Sequence, residues 1–170
     1  MKLLDVYDDE GVPTGKVVER STYKENLSEG EHIAVVQVYI QNKKGEFLIE
    51  KSAKTTGERY LPVSGHLISG EEPVDGMVRE IKEEIGLDID KEELEFVKFY
   101  LIDAPLRYIF YIKKDIDIRN LELQHDEVEH VEFMTTEQIL YLSANGLMAP
   151  VHRGIIPDVV NHAIRHRKYK

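Results

Sequence analysis

Cysteine is absent from the 170-residue chain. That removes disulfides, thiolate nucleophiles and Cys-ligated zinc from consideration. Also missing is any apolar run long enough to cross a bilayer. Met1-Lys2-Leu3-Leu4-Asp5 meets an acidic residue at once, so no secretory leader and no membrane partner are expected. Positive charge is scarce: 22 Lys and Arg stand against 32 Asp and Glu, a net charge of −10. Such a surface repels a polyphosphate backbone, and nucleic acid is not an expected partner. The one basic stretch, Arg165-His166-Arg167-Lys168-Tyr169-Lys170, reads as a solvated helix end whose cations complement the helix dipole. Repeats and low-complexity tracts are lacking too. What remains is an ordinary globular composition, 42% hydrophobic and 32% charged. It suits one domain over residues 1–170 in a cytoplasmic setting, with a homodimer left open.

The pattern alternates strands and helices. Residues 2–8 and 16–20 read as short strands parted by Gly11, Pro13 and Gly15. Ile33 to Ile40 is a nearly unbroken apolar run, as in a strand buried on both faces. A turn over Asn42 to Gly45 should return the chain through Phe47-Leu48-Ile49. Pro73 to Ile85 is the clearest helix, with proline in its first turn and Gly86 as its cap. Val74, Val78, Ile81 and Ile85 define its expected buried face. Strands are expected at 96–102, 106–112 and 128–134, the first two turning near Ala104-Pro105, with helices at 136–144 and 157–167. The fold class is α/β (α+β): an α/β/α sandwich on a mixed central sheet.

The helix at 73–85 carries the chemistry. At 100° per residue, Glu80, Glu83 and Glu84 share a face, roughly opposite Val78 and Ile85. Like charges at these spacings cost about 0.2–0.5 kcal/mol per pair, and neither Lys82 nor Arg79 is expected to neutralise them. A solvated acidic face is one reading. A hard divalent cation is the other, because Mg²⁺ takes carboxylate and phosphate oxygens.

The surrounding spacing favours the cation. Gly65 is followed by five residues and Glu71, then by seven residues and Arg79-Glu80-Ile81-Lys82-Glu83-Glu84-Ile85-Gly86-Leu87. This resembles the Nudix box, G-x5-E-x7-R-E-U-x-E-E-x-G-U with U aliphatic, at every specified position. The resemblance implies a loop–helix–loop motif in which Glu80, Glu83 and Glu84, with a backbone carbonyl near Ser64 or Gly65, ligate Mg²⁺ or Mn²⁺. It implies that Arg79 orients a glutamate. The implied reaction is hydrolysis of a phosphoanhydride bond in a small nucleoside-diphosphate-linked substrate, with bound water attacking phosphorus. His66 and Glu71 are the expected substrate contacts. A nucleotide-sensing module of the same fold is the alternative outside enzymology, and the complete glutamate set argues against it.

Asp5-Val6-Tyr7, Gly11, Gly15, Arg20, Glu31-His32-Ile33-Ala34 and Ser64-Gly65-His66 resemble the isopentenyl-diphosphate isomerase branch. That enzyme needs a cysteine where Ser64 stands, and an additional histidine ahead of His32 that this chain lacks; isomerisation is therefore not expected. His32 is weighed as a structural histidine or a ligand. The resemblance puts the general base either in the box, at Glu80, or on a later acidic loop. Gln124-His125-Asp126-Glu127-Val128-Glu129 resembles the isomerase branch's acidic segment, with Glu127 ahead of Asp126 and a solvated turn as the competing reading.

Overall fold

A computed structural model describes residues 2–54, 59–101 and 105–168, with side chains as far as Arg165. In chain order the elements are β1 (Leu3–Tyr7), β2 (Pro13–Glu19), α1 (Tyr23–Asn26), β3 (Ala34–Gln41), β4 (Phe47–Ser52), β5 (Tyr60–Leu61) and β6 (Val63–His66). They continue as α2 (Pro73–Ile85), β7 (Glu95–Leu101), β8 (Leu106–Lys113), β9 (Val128–Met134), α3 (Thr136–Ala144) and α4 (His152–Lys168).

β3 owes its central place to its composition, since a strand apolar on both faces must be covered on both. Val36, Val38 and Ile40 join Leu48, Phe110 and the α2 residues Met77, Ile81 and Ile85 in one core. Tyr39 turns the other way, with Phe47, Ile49 and Ile109, onto Ile139 of α3 and Ile155, Ile156 and Val159 of α4. Helices thus cover both faces of a mixed sheet, as expected. β3 and β8 run parallel, whereas the other pairings are antiparallel. β1 and β2 form a separate ribbon with its own small core, tied to β3's entrance by paired backbone bonds between Tyr7 and His32.

One irregularity in the sheet makes room for a site. β3 and β4 leave the Asn42–Gly45 turn and register only at Gln41↔Phe47. Beyond that pair they part: β6 takes the edge of β3 while β5 and β9 take β4. The cleft lies in this split.

α2 begins with Pro73 in its first turn and ends at Gly86, whose φ of 70° lets its N–H donate to Lys82 O at 3.0 Å. Its buried residues are Gly76, Met77, Glu80, Ile81 and Ile85; burying the larger apolar ones contributes about 1.5–3 kcal/mol each. The expected face is therefore rotated. Val74 and Val78 sit half-buried at its margin, and Glu80 lies within it. α4 also departs from expectation. It starts at His152, with Pro157 inside it, because Val151 O accepts from both Gly154 and Ile155 N–H and begins the helix before the proline. Ala104, expected at a turn, lies outside the described residues, as do residues 169 and 170 of the basic tail.

Candidate active site

The site grows from β6 and α2. Pairing along β3 brings Gly65 opposite Val36 and under α2. A Cβ at residue 65 would lie 2.0 Å from the Glu80 carboxyl carbon and 2.3 Å from both its oxygens. Only glycine lets that carboxylate approach the strand so closely.

Behind the carboxylates stands Arg79. Its Nε donates to Glu71 Oε1 at 2.7 Å, and its Nη2 donates to Glu71 Oε2 at 3.1 Å and His66 O at 3.0 Å. Nη1 donates to Glu80 Oε1 at 2.8 Å and Glu83 Oε2 at 3.0 Å. Burial opposes its charge, but the hydrogen bonds it donates to Glu71 and Glu80 outweigh that and raise the guanidinium further above its usual value. The expectation that Arg79 leaves the acidic face unneutralised is corrected here. A planar fork at position 79 reaches sideways to both glutamates, and Lys2 Nζ comes within 4.0 Å of Glu83.

In front is a cleft of about 330 Å³, a volume suited to a small ligand. Glu80, Glu83, Glu84, Gly65, His66 and Glu127 all line it. Glu71 and Arg79 are not among its lining residues; Glu71 accepts from Arg79 and, at 3.3 Å, from the Ile68 backbone N–H. Glu127 receives Lys54 Nζ at 2.8 Å, whereas Asp126 is exposed outside the cleft. His32 also lies apart, its Nε2 2.6 Å from Asp9 Oδ1.

The electrostatics are those of crowded buried acids. Burial raises Glu84 to about 7, helped by Glu80 and opposed by its hydrogen bonds with Glu50 and the Ser64 backbone. Burial likewise raises Glu80, with Arg79 pulling the other way. Glu50, on β4 and 3% exposed, is pushed well above the usual carboxylate range by burial and by its hydrogen bond to Glu84. His66 moves down to about 4, first through burial and then through Arg20, so its imidazole is neutral.

Sequence reasoning missed Glu50, together with the basic side chains Lys2, Arg20, Lys54 and Arg107 that line the same cleft. For Glu50 a signal existed: it ends the run Phe47-Leu48-Ile49-Glu50, where the strand period turns its carboxylate to the same side as Leu48. The basic residues come from four separate segments, and their convergence needs the fold.

The donor set fits a hard divalent cation. Glu50 Oε1 and Glu84 Oε2 are buried without a hydrogen-bond partner, and every nearby acidic group offers oxygen. Among the described residues no three acidic or imidazole side chains already form a closed ligand set; Glu50 and Glu84 bond to each other instead.

The NUDIX domain family model matches residues 30–159. The chain belongs to the Nudix family. An uncharacterized Nudix hydrolase of Listeria innocua is 35% identical to this Nudix chain over 130 residues, covering 74% of it and 77% of the relative. Another, from Listeria monocytogenes, is 30% identical over 154 residues, covering 88% and 89%. A solved structure from Deinococcus radiodurans shares the Nudix chain's fold at TM-score 0.70 and 18% identity, over 87% of this chain and 92% of that one. Among the described residues no helix is long and apolar enough to cross a membrane.

Proposed function

We propose that this Nudix protein is a metal-dependent hydrolase of a phosphoanhydride bond in a small nucleoside-diphosphate-linked substrate. One observation carries the reading: buried carboxylate oxygens without partners share one cleft with Lys2, Arg20, Lys54 and Arg107. A cation would give the carboxylate oxygens a partner, and a polyphosphate could join that cation to the basic side chains.

Glu80, Glu83, Glu84 and the Gly65 carbonyl would hold Mg²⁺ or Mn²⁺. That ion supplies charge neutralisation for the diphosphate and a more acidic water. The chain's own residues do the rest. Arg79 fixes Glu80 and Glu83, and Glu71 fixes Arg79. The basic side chains bind phosphate oxygens, and neutral His66 meets substrate beside them. Glu127 takes a proton from the attacking water as its oxygen bonds to phosphorus. The bridging P–O bond breaks, and its electron pair leaves with the departing phosphate.

Within the family, the reading places the chain in the branch that resembles isopentenyl-diphosphate isomerase. Ser64 stands where that enzyme has cysteine, and its hydroxyl donates to Pro62 O at 2.9 Å. Residues 1–170 are read as one domain, because the β1–β2 ribbon supplies Lys2 and the strand end bearing Arg20 to the cleft.

The test is a panel of nucleoside-diphosphate sugars, dinucleoside polyphosphates, NADH, ADP-ribose and CoA with Mg²⁺ or Mn²⁺. Hydrolysis of at least one is expected, lost in EDTA and reduced about 100-fold or more in Glu84→Gln. Binding without turnover across the panel would favour a nucleotide sensor, and turnover indifferent to EDTA would sink the metal assignment. Incubation with isopentenyl diphosphate should give no dimethylallyl diphosphate above a blank.

A further inference from the structure

The three box carboxylates read as ligands, Glu80, Glu83 and Glu84, come from a single helix, but the cleft has a second acidic wall. Glu50 faces α2 from β4, on the sheet side of the split. It is 3% exposed, and its Oε1 has no donor. The charged groups that act on it most strongly are Glu84, Glu80 and Glu127, all acidic, although Arg20, Lys54 and Arg107 line the same cleft. Buried glutamate is rare unless paired with a cation or a metal, since an uncompensated carboxylate loses its hydration for nothing. Position 50 has no structural need for a charge, because its strand neighbours Leu48 and Ile49 fill their sites as hydrocarbons.

We propose that Glu50 is a further ligand of the divalent cation, presenting Oε1 from the sheet opposite the glutamates of α2. The inference rests on the reading of this cleft as a cation site. It makes that site a bridge between β4 and α2 rather than a property of the helix alone. The competing role is positioning, in which a protonated Glu50 merely donates a hydrogen bond to Glu84.

Glu50→Gln separates the two. Glutamine keeps the shape and can donate its amide N–H to Glu84, so a positioning role survives the change, whereas a carboxylate ligand is lost. The measurement is Mn²⁺ binding by calorimetry on the full chain, beside thermal unfolding in EDTA. Mn²⁺ affinity about 10-fold to 100-fold weaker, with a Tm in EDTA no lower than wild type, is expected. Wild-type affinity in Glu50→Gln, alongside weakened affinity in Glu84→Gln, would overturn the Glu50 assignment and leave the cation site standing. No Mn²⁺ binding by the wild-type protein would overturn the cation site itself. Should Glu50→Gln not fold, Glu50→Asp serves: it keeps the charge but withdraws the oxygen, and unchanged affinity there also refutes the ligand role.

Discussion

Glu127 and Lys54 meet at 2.8 Å on the rim of the cleft, and three roles for that carboxylate make different demands. As a general base, Glu127→Gln should lower kcat by about 10²–10⁴-fold and leave Mn²⁺ affinity nearly intact. As a metal ligand, it should lower both, and as a solvated partner of Lys54, neither. We expect the first outcome; calorimetry beside the steady-state rate decides. The sequence pointed to this residue through an acidic run that precedes a strand and resembles the isomerase branch's acidic segment, and geometry then separated it from Asp126, its neighbour outside the cleft. Glu71 shows the opposite case. Its identity and spacing were readable, but its engagement with the Arg79 fork depends on where the 66–72 loop runs. Residue type travels in the sequence, whereas which side chain consumes which is a matter of packing.

At the scale of elements, the cap of α2 is the joint on which the acidic loop turns. Glu122 N–H donates to Ile85 O and Gln124 N–H to Glu84 O, so the segment before β9 hangs from the helix end. Gly86→Ala would place a methyl in left-handed backbone, 2.8 Å from Glu122 Cβ and 3.1 Å from its carbonyl oxygen. The expected loss is about 2 kcal/mol, from backbone strain plus a shift of the loop. Denaturant unfolding measures it, and kcat should fall as well because Glu127 rides on the same segment; an unaltered midpoint would refute the account. Elements of this kind were legible where local signals agree. Pro73 and Gly86 bracket α2, and Asn42 and Gly45 bracket the hairpin. Reading failed where a local signal competes with packing. Pro157 looks like a helix start, yet α4 runs through it with Ile155, Ile156 and Val159 in the core. Glu80 looks solvent-facing on a helical wheel, yet Gly65 draws it inside.

For the whole molecule, Tyr7 joins the ribbon to the main core. It belongs to the same core cluster as Ala34 and Leu106, with 6% exposure, and burial, aided by Asp5, raises its phenol to about 12. A raised acid holds its proton longer in the folded state. Its contribution to stability is complete below the unfolded value near 10 and is lost as pH climbs towards 12. Comparing wild type with Tyr7→Phe in urea from pH 9 to 11.5, the variant should gain relative stability only above about pH 10. A constant difference across that range would refute the linkage. The parallel β3–β8 pair has another consequence, in time rather than energy. It joins Ala34 to Leu106 and Gln41 to Lys113, so the centre of the sheet closes across about 70 residues of chain. β4 and β9 pair across a still longer span, Phe47 with Met134. Such distant partners make for slow folding, in the millisecond-to-second range of mixed and β-rich domains. During synthesis the helix bearing the glutamates emerges well before the strands that complete its sheet, and until β8 and β9 arrive the carboxylates have no cleft to line.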